Sequence, residues 1–235
     1  MQSETSPDPE PLLSIVLPAY NEEDLLEESV EGLLDCLDGR FEVLIAENGS
    51  TDRTGEIARR MAEKHSMVVT SSLRRPSYGE AVRQGMRHAR GQAVAIFNVD
   101  FWDLQFLRSG VPLLEECDVV VGSKALDRSL DRRPRHRRWI TRAFNSLLSI
   151  VFGFRGTDTH GLKIFRAEAL RQILPRCKTR GEIFDTELIL RCYKAGLRVR
   201  ELPVEVREMR PSRYSLLGRV PSTARDLVSL FIALH

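Results

Sequence analysis

LSIVLPAYNEEDLL (residues 13–26) and FEVLIAENGSTDRTGEIARR (residues 41–60) share one pattern. Each is an apolar run that ends abruptly at polar, turn-forming residues and continues with the apolar spacing of a helix. Two strand-to-helix transitions so close together predict an α/β fold with a parallel sheet. Because ligands of such sheets bind at the carboxyl ends of the strands, the polar turns are the expected site.

The composition indicates one large α/β domain with a substantial core in 235 residues. A formal net charge of only +2 gives no overall field that would favour nucleic acid. The four cysteines are widely spaced and show no metal-ligand pattern, which is typical of a reducing, cytoplasmic setting. No run of about eighteen apolar residues is present, so we expect a chain that does not cross a bilayer.

Three segments divide the chain into a tail and one continuous domain. Residues 1–11 are acidic and rich in Pro and Ser, which predicts a disordered tail and no signal peptide. Residues 12–123 alternate between strands and helices and form the expected nucleotide-binding half, in which Ser50 or Thr51 should cap the second helix. Residues 124–235 form the second half, with a basic loop and a terminal amphipathic helix.

A third polar turn, NVDFWD (residues 98–103), follows a buried apolar strand. Carboxylates just past a strand suit a divalent cation, which in turn neutralises a diphosphate. Asp100 is the best single candidate ligand, and Asp103 or the amide oxygen of Asn98 would assist it. A polar turn without a metal is the alternative.

The turns PAYNEE, ENGSTD and NVD, in this order, closely resemble the motifs of glycosyltransferase family 2, whose usual forms are P-x-Y-N-E, D-D-G-S-T-D and D-x-D. GSKA (122–125), DTHGLKIF (158–165) and FDTELILR (184–191) are similar to the polyprenyl-phosphate sugar synthases of that family, which include the dolichyl-phosphate mannose and glucose synthases. The resemblance covers residues 13–219. It implies a single-domain GT-A fold, the nucleotide-diphospho-sugar transferase fold, with a mostly parallel sheet flanked by helices.

The activity that the resemblance implies is transfer of a hexose, with inversion, from a nucleotide sugar of the GDP-mannose or UDP-glucose type to a polyprenyl phosphate. The resemblance makes residues 12–123 the nucleotide-sugar-binding half and residues 124–235 the acceptor-binding half. The implied cofactor is Mg²⁺ or Mn²⁺ on Asp100, Asn98 and Asp103, and the implied catalytic residues are Asp100, Asp158 and Asp185. The implied nucleotide-binding residues are Pro18, Tyr20, Glu22, Glu47, Ser50 and Asn98.

The sequence departs from the family pattern where the metal is expected. Asn98 replaces the first Asp of D-x-D, and an amide oxygen brings no charge, so the metal should bind more weakly. Trp102 stands where the lipid-linked enzymes often have a polar ligand. Three consequences are open: a metal site rebuilt around Asp100 and Asp103, cationic side chains that carry the diphosphate charge, or loss of transferase activity.

A basic segment joins the two halves, and a solvated loop is the alternative to a phosphate site there. Arginine suits phosphate oxygens, and a cationic cluster also attracts anionic lipid. The segment contains Arg128, Arg132, Arg133, Arg135, His136, Arg137, Arg138 and Arg142. The expected phosphate or acceptor ligands are Arg138 and Arg142, with Lys124 and His160 as further candidates, although His160 could equally be an ordinary loop histidine.

Apolar stripes after Trp139 and in residues 216–234 could pack in the core or lie in a membrane interface. Basic residues flank the second stripe, which favours a peripheral protein at the cytoplasmic face of a membrane, where a membrane-protein partner would also be within reach. These basic residues are Arg207, Arg210, Arg213, Arg219 and Arg225.

Other functions stay open. A family 2 transferase with a hydroxyl acceptor would need Asp185 or Asp158 as a base, whereas a silent paralogue would bind nucleotide or lipid as a partner subunit. A nucleotidyltransferase with a similar sheet would normally carry a Gly-rich loop with Lys or Arg directly after its first strand. PAYNEE lacks glycine, so this class is disfavoured. The base of the donor nucleotide also stays open, because the acidic group of Glu47 is compatible with both uracil and guanine.

Overall fold

The structure is a computed structural model that describes residues 11–127, 135–205 and 216–234. Within these ranges, the side chains of Arg135, Arg137 and residues 216–224 are not described. The predicted tail (apart from residue 11) lies outside the described residues, and so do Arg128, Arg132, Arg133, Arg207, Arg210 and Arg213.

Strands and helices alternate along the chain, as the two opening stretches predict. The strands are β1 (Leu13–Ala19), β2 (Phe41–Glu47), β3 (Val68–Ser72), β4 (Ala93–Ile96), β5 (Val119–Ser123), β6 (Lys163–Arg166) and β7 (Val199–Pro203). The helices are α1 (Leu26–Cys36), α2 (Thr54–Lys64), α3 (Tyr78–His88), α4 (Leu104–Leu113), α5 (Arg135–Phe152), α6 (Ala167–Ile173), α7 (Phe184–Lys194) and α8 (Leu216–Leu234). A short 3-10 turn, Leu174–Arg176, follows α6.

The strands form one mostly parallel sheet in the order β3-β2-β1-β4-β6-β5-β7. β3, β2, β1 and β4 are parallel to one another, and β5 is parallel to β7, whereas β6 runs antiparallel to both β4 and β5. Because β6 is reversed, the loop that precedes it lies at the same edge as the ends of β4 and β5. The polar turns and the loop 157–162 therefore share one edge of the sheet.

The sheet is buried on both faces, as expected for parallel strands covered by helices. Ile15 and Leu17 of β1 pack on the side of α1, α2 and α4, and Val16 between them packs on the opposite side with α3 and α7. This period-two alternation fixes the register of β1 and brings its polar turn to the edge of the sheet. Among the described residues, no helix has both the length and the apolar character required to span a bilayer.

The prediction that Ser50 or Thr51 caps α2 is wrong. The helix begins at Thr54, whose N–H donates to Asp52 Oδ1 at 2.9 Å. Residues 50–53 instead form a turn that contacts the turn after β1, because the Ser50 hydroxyl accepts a hydrogen bond from the Asn21 N–H.

Candidate active site

Hydrogen bonds join the turns after β1 and β2 to each other. The N–H of Asn21 donates to Ser50 Oγ at 3.1 Å, and the N–H of Thr51 donates back to Asn21 Oδ1 at 2.9 Å. The N–H of Glu22 donates to Thr54 Oγ1 at 2.8 Å. Asn21 adopts a positive φ of 53°, which its short polar side chain tolerates better than most. The predicted nucleotide residues Glu22 and Ser50 thus lie in one rigid unit.

The three other predicted residues of this unit lie at the ends of β1 and β2. Pro18 pairs with Ala46 in the sheet, and the half-buried Tyr20 directly follows β1. Glu47 is buried at the end of β2 and accepts from the Ser50 N–H at 2.5 Å. The structure therefore brings together all the predicted nucleotide residues of the first two turns.

A loop before α3 packs directly on the turn after β2. Gly49 has a φ of 66°, and a Cβ there would lie 2.7 Å from the carbonyl carbon of Arg75, so only glycine fits. Asn48 Oδ1 accepts from the Ser77 N–H at 2.6 Å, immediately before Tyr78 opens α3. The first residues of α3 are thereby tied to the turn after β2.

The 98–103 turn leaves two candidate metal ligands facing solvent. Asn98 and Asp100 are exposed and Val99 between them is buried, because the strand alternation continues past β4. Phe97 N–H donates to Val16 O at 3.0 Å, which places Asn98 beside the end of β1. Asp103 caps α4 by accepting from the Phe106 N–H at 3.0 Å, so one of its oxygens is engaged.

Trp102 packs against α1. Its indole N–H donates to Ser29 Oγ at 3.1 Å, and its ring lies so close to Gly32 that a Cβ there would be 3.1 Å away. The indole borders a cavity of about 730 Å³ between α1 and the 98–103 turn, which Asp100 also lines. Trp102 therefore anchors the turn to α1 rather than adding a polar ligand.

The residues present fit a divalent cation only together with a phosphate ligand. Across the described residues, no three Cys, His, Asp or Glu side chains converge on a metal position. Asp100 supplies one carboxylate and Asn98 one amide oxygen. Mg²⁺ is commonly held by one or two carboxylates, with waters and substrate phosphates completing its shell.

A second cluster forms where α7, β6 and α3 meet. Asp185, in the first turn of α7, is buried, and its Oδ2 accepts from Lys163 Nζ and from the Tyr78 hydroxyl, both at 3.0 Å. The other oxygen, Oδ1, is buried and has no hydrogen-bond partner. Burial, and then the adjacent Asp185 carboxylate, raise the pKa of Tyr78 well above its usual value, so its hydroxyl remains a donor.

Asp158 is the second buried carboxylate of this cluster. Its Oδ1 accepts from the His160 N–H at 2.9 Å, and its Oδ2 lies 3.5 Å from Lys124 Nζ without a hydrogen-bond partner. Burial opposes ionisation, but the Lys124 ammonium and the His160 N–H outweigh it and hold the pKa of Asp158 below its ordinary value. A contact of 3.0 Å between Thr159 Oγ1 and Thr186 Oγ1 joins this loop to α7.

Lys124→Met is expected to lower the free energy of unfolding at pH 7 by about 1 kcal/mol, because it removes the ammonium beside Asp158. The pKa of Asp158 in the folded protein lies below the ordinary 3.8, so this attraction is complete above that value and is lost as the pH falls through the folded pKa. Urea unfolding of both proteins between pH 7 and pH 3 should show a difference that shrinks only at the acid end. A pH-independent difference would contradict the assignment.

The remaining predicted phosphate ligands lie around this cluster or on α5. His160 is exposed, with its ring centroid 5.9 Å from that of Phe144. Arg138 and Arg142 lie on α5, where the Arg142 guanidinium is 6.0 Å from the Trp139 ring centroid. Lys124 and His160 therefore join the two carboxylates, whereas the two arginines approach from a neighbouring helix.

Sequence reasoning missed Lys163, Tyr78 and Glu187. Glu187, also in the first turn of α7, is fully buried and accepts from the N–H groups of Lys178 and Thr179 at 2.9 and 2.7 Å, and from Arg191 Nε at 2.7 Å. The one signal available was the lysine at the start of β6 between two apolar residues, because a buried charge requires a partner.

The sequence of this chain is similar to those of known glycosyltransferases. The model of glycosyl transferase family 2 matches residues 14–174. The glycosyltransferase AglD of Haloferax volcanii is 32% identical over 82% of this chain, which spans only 32% of AglD. The dolichyl-phosphate beta-glucosyltransferase of Saccharomyces cerevisiae is 27% identical over 98% of this chain and 77% of that protein.

Solved structures confirm the predicted GT-A fold. The mannosyltransferase PcManGT from Pyrobaculum calidifontis, in complex with GDP-Man and Mn²⁺, is similar with a TM-score of 0.64 at 25% identity. The match covers 96% of this chain and 64% of that one.

Proposed function

We propose, since this chain belongs to glycosyl transferase family 2, that it transfers a hexose from a nucleotide sugar to a polyprenyl phosphate with inversion. The main observation behind the proposal is that the polar turns and the buried Asp158–Asp185 cluster lie at the same edge of the sheet. The turns after β1, β2 and β4 would bind the nucleotide, and the Asp158–Asp185 cluster is connected to the turn after β2 through Ser77 and Tyr78. Relatives named dolichyl-phosphate beta-glucosyltransferases favour glucose and a lipid phosphate.

The proposed reaction is a direct displacement. A phosphate oxygen of the lipid attacks the anomeric carbon, the bond from that carbon to the diphosphate breaks, and the nucleoside diphosphate leaves. A phosphate oxygen is already anionic, so no strong base is required. Catalysis then depends on alignment and on neutralising the departing charge.

Each predicted residue has a place in this scheme. Pro18, Tyr20, Glu22, Glu47 and Ser50 would bind the nucleoside, with Asn98 beside them. Lys124, Arg138, Arg142 and His160 would bind the phosphate of the acceptor or of the leaving group. Asp100, Asp158 and Asp185 are the proposed catalytic residues and would face the diphosphate and the sugar.

Asn98 and Asp100, with Asp103 as a third predicted ligand, would hold Mg²⁺ or Mn²⁺ shared with the diphosphate. A bound cation would supply positive charge to the leaving group. The relative from Pyrobaculum calidifontis carries Mn²⁺ together with GDP-Man, which supports a divalent ion here.

Asn98→Asp is expected to tighten Mn²⁺ binding in the presence of nucleoside diphosphate by about tenfold, because the second carboxylate adds charge to the exposed Asn98–Asp100 pair. Electron paramagnetic resonance of free Mn²⁺ during titration measures this affinity without reference to turnover. Unchanged Mn²⁺ affinity would place the cation elsewhere.

Exposed apolar side chains on α5 and α8 support a peripheral position on a membrane, and the face that we propose is the cytoplasmic one. Trp139 and Ile150 are exposed on α5, Ile150 to 83%, and Phe231 and Ile232 are exposed on α8. The ring centroids of Phe152 and Phe231 are 6.4 Å apart, so the two helices present neighbouring apolar surfaces. Arg138, Arg142 and Arg225 on the same helices would attract anionic lipid.

Ile150→Glu is expected to weaken binding to phosphatidylserine-containing vesicles by about tenfold or more, because a charged group replaces a side chain that would enter the interface. Met67→Glu, an exposed apolar residue before β3, is the matched control and should bind as the wild type does. Equal sedimentation of all three proteins with vesicles would argue against this surface.

A hydroxyl acceptor is the second candidate, favoured by the partnerless Oδ1 of Asp185, which could receive a proton. Calorimetric titration with UDP and GDP, with and without Mn²⁺, tests the donor site first. Turnover is then measured with dolichyl phosphate and with hydroxyl acceptors. Binding without turnover would favour a silent paralogue, and binding of neither nucleotide would exclude the proposed function.

A further inference from the structure

We propose that Lys163 is a positioning residue that holds Asp185 so that its free oxygen, Oδ1, binds a hydroxyl group of the donor hexose. This inference rests on the proposed function and assigns a specific contact within it. Lys163 itself touches no substrate in this proposal and acts through Asp185.

The two carboxylate oxygens of Asp185 differ in their hydrogen bonding, because Lys163 contacts only one of them. Lys163 Nζ lies 3.0 Å from Asp185 Oδ2 and 2.8 Å from Gly161 O, and the two side chains of the ion pair are 2% and 6% exposed. The Tyr78 hydroxyl donates to the same Oδ2. Both donors therefore converge on one oxygen and fix the plane of the carboxylate, while Oδ1 has no partner.

The pair is poorly explained as a device for stability alone. Removing two charges from water is costly, and replacing a buried ion pair by apolar residues of similar volume is often neutral or stabilising. The neighbours of Lys163 along the chain, Leu162, Ile164 and Phe165, are buried and apolar, so methionine would suit the position. A lysine at this position is explained if the function of the site requires Asp185 to be charged and held in one orientation.

The chemistry of Oδ1 selects the ligand. An ionised carboxylate only accepts hydrogen bonds, so its partner must be a donor. The oxygens of a diphosphate or of a lipid phosphate are anionic acceptors and are excluded, whereas sugar hydroxyls donate. Asp158 Oδ2, the other buried carboxylate oxygen without a hydrogen-bond partner in this cluster, offers a second acceptor for the same kind of ligand.

The position of the cluster favours the donor hexose over a hydroxyl of the acceptor. Tyr78 contacts Asp185 and directly follows Ser77, which is bonded to Asn48 in the turn after β2. Asp185 is therefore connected to the turn where the nucleotide is expected through its hydrogen bond with Tyr78 and the hydrogen bond between Ser77 and Asn48. A hexose attached to that nucleotide is the hydroxyl-bearing group nearest to it.

The test compares nucleotide with nucleotide sugar. Affinities for UDP, UDP-glucose, GDP and GDP-mannose are measured by calorimetry on the wild type, Lys163→Met and Tyr78→Phe, with the exposed Lys64→Met as the control. Loss of one charge-assisted hydrogen bond predicts that Lys163→Met weakens nucleotide-sugar binding about tenfold while nucleoside diphosphate binding stays within about twofold. Tyr78→Phe should shift in the same direction by less.

Each outcome of these titrations either supports or overturns the proposed role of Lys163. Equal loss of both ligands, or loss of neither, in Lys163→Met would overturn the proposal. Unchanged donor binding with a raised KM for a hydroxyl acceptor would assign Oδ1 to the acceptor and would also overturn it. If Lys163→Met does not fold, the sugar-specific loss in Tyr78→Phe is the deciding measurement. A wild type that binds none of the four ligands refutes the proposed function itself, which is a separate result.

Discussion

Asp100→Asn should lower kcat/KM for hexose transfer by about 100-fold or more, because it removes the one exposed carboxylate of the 98–103 turn. Asn98 already lacks a charge, so the variant would present two amides to the cation and the diphosphate. No fold defect is expected, since Asp100 is exposed at a turn whose backbone is closed by hydrogen bonds between Asn98 and Phe101.

Steady-state kinetics and thermal unfolding together test this expectation. Asp35→Asn makes the same chemical change at an exposed site on α1 and should keep full activity. If Asp100→Asn retained wild-type kcat/KM, the diphosphate charge would have to be carried by cationic side chains instead. A large drop in the unfolding midpoint would show that Asp100 has a structural role.

Glu187→Ala is expected to lower the free energy of unfolding by about 3 kcal/mol or more, because it leaves the Arg191 guanidinium without its buried partner. It also leaves the backbone N–H groups of Lys178 and Thr179 without their acceptor, in a loop that supports the start of α3 through Arg180 O. The hydrogen bonds to Glu187 hold its pKa below the usual value although burial raises it. We therefore expect this stabilisation to persist at neutral pH and to fade on acidification.

Urea unfolding monitored by tryptophan fluorescence measures the effect. Glu63→Ala, at an exposed position on α2, is the matched control and should change stability by less than about 0.5 kcal/mol. A comparably small effect for Glu187→Ala would mean that the 177–181 loop is held by other contacts, principally those of Arg83 with the carbonyls of Cys177 and Thr179.

The parts of the site that the sequence predicted depend on local patterns. The apolar runs of β1 and β2 and the polar residues that end them placed the polar turns correctly at one edge of the sheet, because strand alternation and turn chemistry act over a few residues. The family resemblance singled out Asp158 and Asp185, which the structure shows to be buried in one cluster. The roles of the individual residues as ligands or catalysts are still predictions.

The parts that were missed depend on tertiary contacts. Tyr78 and Asp185 are 107 residues apart, and no local pattern signals that their side chains meet. The same holds for Ser50, whose preference for a helix N-cap was overridden by a contact with Asn21 across 29 residues. The reversed direction of the four-residue β6 follows from neither its composition nor its length.

The place of β6 between β4 and β5 also limits when β5 can pair. β5 pairs only with β6 and β7, so neither of its edges has a partner among the strands that precede it in the chain. During synthesis from the N-terminus, both edges of β5 therefore remain unpaired until residues 163–166 have been synthesised, about forty residues later. Strands with unpaired edges are templates for aggregation. We therefore expect β5 to be most prone to pairing with other chains in the interval before β6 is available.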